Sequence, residues 1–325
     1  MNYAPRIIDL FCGAGGFGLG FKQAGFQIVL GIDNAKAPAR SYKYNFPEAI
    51  VLVEDVKNVS GKDIYFLLKE IGVNDIDVII GSPPCEPFTA ANPHRKRNPL
   101  DRLYVDPIGR LVLHYIRIVG ELKPKVFVME NVPSILEKPI VNALRREFAR
   151  IGYKQIYFNL LRAEDYCTPS HRLRVFISNI KIKPIKKCKK APTVMDALKD
   201  LPPPNSDYPP NHKLYSIPYR KLKRIAKLRW GQPLIYYKGA RKKLPNLIRL
   251  DPNRHAPTVL GSSRFIHPFE NRFLTVREQA RLMGYPDDHV FLGGREEQYN
   301  QVGEAVPVPL AKAIAEEVLK KLREM

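Results

Sequence analysis

The segment Arg6-Ile7-Ile8-Asp9-Leu10-Phe11 is a short apolar run that opens directly into Cys12-Gly13-Ala14-Gly15-Gly16-Phe17-Gly18. A strand that empties into glycines and then into the helix-like stretch Leu19 to Ala24 is the start of a nucleotide-type α/β unit. The glycines let a ligand approach the backbone, and the helix N-terminus offers unpaired N–H groups. Gly13, Gly15 and Gly18 also satisfy G-x-G-x-x-G, which alone is weak evidence for a dinucleotide. A dehydrogenase would need its own catalytic set further on, and the sequence holds none. A purely structural glycine turn is the remaining alternative.

The next apolar runs end in acids. Gln27 to Ile32 leads to Asp33, placed to accept from ribose hydroxyls. Ala49 to Val53 leads to Glu54-Asp55, and Asp55 is placed to accept from an adenine amino group. Two acids at successive strand ends after a glycine loop suit an adenosine cofactor. A fourth strand, Ile76 to Ile80, runs into Gly81-Ser82-Pro83-Pro84-Cys85-Glu86-Pro87-Phe88-Thr89. The two prolines stiffen the chain leaving the strand. Cys85 is thus held at the carboxyl end of a parallel strand, where open α/β sheets bind ligands. The bland alternative is a small buried hydrophobe.

Ala91 to Pro99 is polar, basic and aperiodic, and reads as a mobile loop. A helix is expected from Gly109 through Leu122. Lys125 to Met129 is a buried strand ending in Glu130-Asn131-Val132-Pro133. If it neighbours the cysteine strand, Glu130 lies near Cys85, with a carboxyl raised by burial and able to donate a proton. Strands at Gln155 to Leu160 and Leu173 to Ser178 follow. Arg172 and Arg174, two apart, project on one face, as a surface pair or as a grip on a base and a phosphate.

At 325 residues the chain has room for one large domain and a small one. No apolar run is long enough to span a bilayer, and Met1 to Arg6 lacks a signal peptide's apolar region; a cytoplasmic protein is expected. Cys12, Cys85, Cys167 and Cys188 show no C-x-x-C spacing and read as four separate thiols, with no metal site. The net charge of +21 favours a polyanionic partner. It is concentrated: Lys181 to Leu247 holds 18 lysines and arginines against three aspartates. That stretch also carries Pro202-Pro203-Pro204 and a helical basic run from Arg220 to Trp230. The alternative reading of its lysines is a solvated linker.

These motifs, in this order, resemble the DNA (cytosine-5)-methyltransferase family. Asp9 to Phe17 is similar to its S-adenosylmethionine loop, Pro83-Pro84-Cys85 to its nucleophile motif, and Glu130-Asn131-Val132 to its cytosine-holding motif. Arg172-Leu173-Arg174-Val175-Phe176 resembles its arginine strand, Arg272 to Pro286 its late structural motif, and Gln301 to Pro307 its closing motif. Roughly 180–247 lies outside them.

The resemblance implies a Rossmann-like, doubly wound, mostly parallel α/β sheet with a second, small basic target-recognition domain. The catalytic domain would be 1–179 plus 300–325, and 180–299 the recognition domain and hinge. It implies methyl transfer from S-adenosylmethionine, leaving S-adenosyl-L-homocysteine, to carbon 5 of a cytosine flipped from duplex DNA. Cys85 would supply the thiolate, helped by nearby positive charge. Glu130 would hold and protonate the cytosine edge, Arg174 would contact the base oxygen, and Arg172 would support the site. The donor would meet Phe11, Cys12, Gly13, Ala14, Gly15 and Gly16. Asp33, Asn34, Asp55 and Val56 would follow on the adenosine side, with Pro84, Leu111, Glu304 and Ala305 completing the set. Phe11 would stack on the adenine.

Arg95, Lys96 and Arg97 would ride on a lid over the base. Arg220, Lys221, Arg224, Arg229, Arg241 and Lys242 would contact DNA. A monomer without membrane association is expected, prokaryotic and at the nucleoid when bound to DNA. Glu86 replaces a usual Gln, Pro87 a small residue, Cys167 and Ser170 a Gly and a Gln, and Glu304 an Asn. The alternatives are a tRNA cytosine methyltransferase and a catalytically silent DNA-binding regulator on the same scaffold.

Overall fold

The computed structural model describes residues 4–239 and 242–325. Seven strands form one sheet: β1 (Arg6–Leu10), β2 (Gln27–Asp33), β3 (Ile50–Val53), β4 (Val78–Gly81), β5 (Val126–Asn131), β6 (Tyr157–Arg162) and β7 (Leu173–Ser178). Their order is β3-β2-β1-β4-β5-β7-β6. Only β7 runs against its neighbours, pairing antiparallel with β5 and β6. The expected doubly wound, mostly parallel sheet is therefore present.

Both faces of this sheet are buried because successive side chains point opposite ways. Ile8, Ile79, Phe127 and Met129 join one core, while Ile7, Val78, Ile80, Val126 and Val128 join the other. The first core lies under α3 (Gly61–Glu70), α5 (Leu111–Leu122) and α6 (Lys138–Arg150); α1 (Gly16–Gln23) and α2 (Lys36–Asn45) precede α3, and α4 (Pro99–Tyr104) lies between α3 and α5. Each fully buried side chain of this size contributes roughly 1.5–3 kcal/mol.

Beyond β7 come α7 (Val194–Leu198), α8 (Tyr219–Ile225), the hairpin β8 (Pro233–Lys238) and β9 (Lys243–Ile248), α9 (Val276–Arg281), α10 (Arg295–Glu304) and α11 (Val308–Glu324). The hairpin and α8 pack through a small core of Ile225, Leu234, Leu247 and Ile266. A further core runs from Val194 through Met283 and Tyr299 to Ala14 of the glycine loop. The chain's end returns to its beginning: α11 lies on α1, so closely that a Cβ at Gly20 would overlap Ala311.

Two expectations about elements change. Helix α1 begins at Gly16 rather than Leu19, because its glycines sit where neighbours leave no room. A Cβ at Gly18 would stand 2.8 Å from Asp9 Oδ2 and 2.8 Å from Tyr42 Oη. The basic run Arg220 to Trp230 is helical only as far as Ile225.

The four cysteines are not four separate thiols. Cys167 and Cys188 form a disulfide with Cα atoms 5.4 Å apart, while Cys12 and Cys85 are free. Leaving β7, the chain reverses and runs back beside β6. Ile182 N–H donates to Asn159 Oδ1 (3.0 Å), Tyr166 Oη donates to the Pro184 carbonyl (3.3 Å), and Lys186 pairs with Asp165 at 2.9 Å. That reversal carries Cys188 to Cys167 at the far end of β6. Local spacing holds no trace of it.

Candidate active site

The glycine loop leaves β1 with left-handed backbone at Phe11, Gly13 and Gly15, φ 57°, 55° and 91°. Gly15 can be only glycine, since a side chain there would strike the Phe46 ring. Gly13 faces open space: an added Cβ would meet nothing within 4 Å. Its N–H donates to Asp33 Oδ2 (2.9 Å), and Asp33 Oδ1 accepts from Ala35 N–H (2.9 Å). Burial raises the Asp33 carboxyl, and these two N–H groups oppose the rise. Helix α1 starts with no side-chain cap, and within its first turn the Gly18 N–H is taken by the buried Asp9 carboxyl. Cys12 and Ala14 are buried beneath the loop, Gly16 packs against Tyr285 and Val306, and Asn34 is exposed beside Asp33.

Asp55 caps a short turn that includes the buried Val56. Its Oδ1 accepts from Lys57 N–H at 3.0 Å, and Oδ2 pairs with the Lys57 ammonium at 3.0 Å. Partial burial raises this carboxyl, but the Lys57 N–H and ammonium outweigh it and hold it below its usual range. Leu111 opens α5 nearby.

Cys85 and Glu130 come together as the strand order requires, because β4 and β5 are parallel neighbours with Gly81 opposite Met129. Asn131 Nδ2 donates to the Pro83 carbonyl (3.2 Å), tying the end of β5 to the loop that holds Pro84 and Cys85. Phe88 N–H and Thr89 N–H both donate to the Cys85 carbonyl, at 2.9 and 3.0 Å, closing a tight turn. Glu130 is buried, as expected, and Arg174 Nε lies 2.9 Å from its Oε1.

Arg172 is buried too. Its Nη1 donates to the carbonyls of Val259 (2.7 Å) and Gly303 (3.1 Å), joining the sheet to the closing segment. Burial, then the like charge of Arg174, pulls the Arg172 guanidinium down to about 9, with Glu130 and Cys85 opposing. Expected help from positive charge at Cys85 is outweighed. Burial and then Glu130 push the thiol up, and the two arginines only partly offset them, with Glu86 adding to the rise.

Glu304 stands at the end of α10, next to the half-buried Ala305. Crowding by surrounding atoms, and then the charges of Glu86 and Asp33, raise its carboxyl against Arg172. Cys85, Glu130, Arg172 and Arg174 therefore lie close enough to shift one another's charge, and Arg172 and Gly16 join them to the closing segment.

The basic residues divide. Lys96, Arg97, Arg220, Arg229 and Lys242 are exposed. Arg95 turns inward, donating to the Phe88 carbonyl (3.1 Å) and lying 3.8 Å from Glu137. Arg224 donates to the Leu234 carbonyl (3.0 Å), and Lys221 sits over the Phe273 ring at 5.1 Å. Arg241 lies outside the described residues.

Several positioning residues carry no sequence signal. Buried Arg102 donates from Nε to the Lys96 carbonyl (2.7 Å), from Nη2 to the Arg97 carbonyl (3.0 Å) and from Nη1 to Glu137 (2.6 Å). It thereby fastens the loop after Cys85 to the start of α6. His289 Nε2 lies 2.9 Å from the Ala14 carbonyl and supports the glycine loop from behind. Each is a lone polar residue whose partners are distant in the chain or backbone atoms.

The family model for C-5 cytosine-specific DNA methylase matches residues 5–320. A protein of Methanocaldococcus jannaschii, provisionally named as a type II methyltransferase, is 51% identical over 98% of this chain and 100% of its own. The type II methyltransferase M.DdeI of Desulfomicrobium norvegicum is 32% identical over 96% of this chain and 88% of its own. A crystal structure of a provisionally named DNA modification methyltransferase from an E. coli prophage superposes with a TM-score of 0.80 at 26% identity, covering 99% and 100% of the two chains. The match spans the glycine loop, the Cys85 loop, the arginine strand and the closing segment, and the chain belongs to the C-5 cytosine-specific DNA methylase family.

Proposed function

We propose that the protein transfers a methyl group from S-adenosylmethionine to carbon 5 of a cytosine flipped out of duplex DNA, with Cys85 bonding transiently to carbon 6. The observation that carries this is the mutual electrostatic influence of Cys85, Glu130, Arg172 and Arg174 at adjacent strand ends. The residues present suit the donor. Open space stands before Gly13, and Asp33 keeps lone pairs for ribose hydroxyls. Phe11 offers a face to the adenine, with Asp55 and Val56 beyond it. When bound, the donor supplies an electrophilic methyl group to a carbon made electron-rich.

That enrichment is the work of the chain. The Cys85 thiolate adds to carbon 6, and the displaced electrons move toward carbon 5 and N3. Glu130 grips the N3 and N4 edge and places a proton at N3. Arg174, already fixed against Glu130, reaches the base oxygen. Arg172 offsets the negative charge and anchors the site to Val259 and Gly303. Loss of the carbon 5 proton then expels the thiolate and restores the aromatic ring.

The basic surface supports a DNA partner. Lys96, Arg97, Arg220, Arg229 and Lys242 meet solvent in a chain of net charge +21, and such residues bind phosphates. Recognition and the hinge are assigned to 180–299, the catalytic domain to 1–179 plus 300–325, and the active species to a monomer in the cytoplasm. Incubation with tritiated donor should label duplex DNA and not tRNA; label confined to tRNA overturns the DNA reading. A 5-fluorocytosine duplex should trap a covalent adduct that Cys85→Ala cannot form, whereas a silent scaffold gives none. Bisulfite sequencing of DNA from expressing cells then gives the sequence context.

A further inference from the structure

Away from Cys85, a cavity of about 290 Å³ lies between α10, the hairpin and the strap 213–218. Its size is at the lower end of small-ligand sites, enough for one mononucleotide and far too small for a duplex. Its walls are aromatic, from Tyr215, Phe273 and Tyr299, with apolar Leu214 and Leu247 beside them. Each ring carries a cation: Arg295 lies 4.8 Å from the Tyr215 centroid, Lys221 5.1 Å from Phe273, and Arg264 4.1 Å from Tyr299.

The charge balance is positive. Among the described residues Glu296 is the sole acid of the lining, and it pairs with Arg264 at 2.5 Å and Arg295 at 2.9 Å. Lys213 and Lys221 are left without a carboxylate partner among the described residues. Arg264 also keeps a buried Nε that finds no hydrogen-bond acceptor. A buried donor without an acceptor is an uncompensated cost. Arg264 also links the cavity to the closing segment. Arg264 Nη1 donates to the Gly261 carbonyl (2.8 Å), and a Cβ on Gly261 would stand 2.9 Å from Glu304 Oε1.

We propose that this cavity binds one nucleotide other than the target cytosine, its base lying against Tyr215 and Phe273 and its phosphate held by Lys213 and Lys221. Cationic rims with aromatic walls take single bases in this way, through stacking and charge together. Free mononucleotide and an unstacked nucleotide of the DNA share this chemistry. The proposal extends the DNA reading above without requiring it, since the free form would bind whatever the enzyme methylates.

Photolabelling separates the sources. The intact protein is irradiated with 8-azido-AMP in one arm and with a 4-thiothymidine-containing duplex pool of random sequence in the other, and labelled peptides are mapped by mass spectrometry. Label on peptides carrying Tyr215, Phe273 or Tyr299 is expected, falling at least tenfold in a Lys213→Ala/Lys221→Ala double variant of unchanged melting temperature. Label there from the duplex assigns the nucleotide to DNA; label there from 8-azido-AMP alone, undiminished by DNA, assigns a free nucleotide. Label in both arms that avoids these peptides, or no label in either, overturns the proposal. DNA methylation is assayed on the same samples. Methylation with no label in the cavity sinks this inference alone, and label without methylation sinks only the reaction.

Discussion

Arg174 Nε and Glu130 Oε1 stand 2.9 Å apart on antiparallel neighbours β7 and β5, both side chains nearly shut off from solvent. Removing one partner of such a buried pair leaves the other charged and unmatched, at a cost of roughly 3–5 kcal/mol. Arg174→Ala should lower the urea midpoint accordingly, and Arg174→Ala/Glu130→Leu should recover part of the loss. Both should be inactive. An additive double variant would show that the pair is not coupled.

The Cys85 thiol is raised by burial and then by Glu130, with Arg174 and Arg172 pulling the other way. The thiolate fraction therefore grows as pH rises. We expect log kcat/KM to climb through the neutral and alkaline range with a slope approaching one. Glu86→Gln should move that limb toward neutral pH, because Glu86 contributes to the rise. Arg172→Gln should move it toward higher pH. Stopped assays of methyl incorporation at constant ionic strength would check both directions.

Gly13 and Gly15 both have positive φ, but only Gly15 is crowded. Gly13→Ala should cost about 1 kcal/mol for its left-handed backbone. It should weaken S-adenosylhomocysteine binding by tenfold or more in titration calorimetry, since the new methyl enters the open space. Gly15→Ala should instead show first as a fall in melting temperature, because Phe46 must move.

The Cys167–Cys188 bridge closes a loop with a sequence separation of 21. Loops of this length gain about 3 kcal/mol from cross-linking in the chain-entropy account. Reductant should lower the melting temperature of the wild-type chain and leave Cys167→Ser/Cys188→Ser unmoved. If reductant has no effect on the wild type, the bridge contributes nothing to stability in solution.

The parallel sheet was legible because buried strands read as apolar runs and each ended in chemistry: Gly13, Asp33, Cys85, Glu130. Strand adjacency then followed from topology, and Cys85 met Glu130 as expected. What sequence could not supply was long-range pairing. Arg102 holds backbone carbonyls of the Cys85 loop, His289 holds Ala14, and Cys188 returns to Cys167. Each depends on where the chain travels between, and no spacing encodes that path. Arg95 shows the converse: a basic residue in a basic loop looked solvent-facing, yet Glu137 and the Phe88 carbonyl drew it inward. The net sign at Cys85 likewise required knowing how deeply it is buried.

Arg172 grips the Gly303 carbonyl, and α11 seals α1. The surroundings of Cys85 are thus stitched from parts of the polypeptide far apart in sequence. During synthesis the glycine turn and Cys85 leave the ribosome long before the segment that locks them together. The glycine turn therefore reaches its final packing only after α11 has been made and has docked on α1.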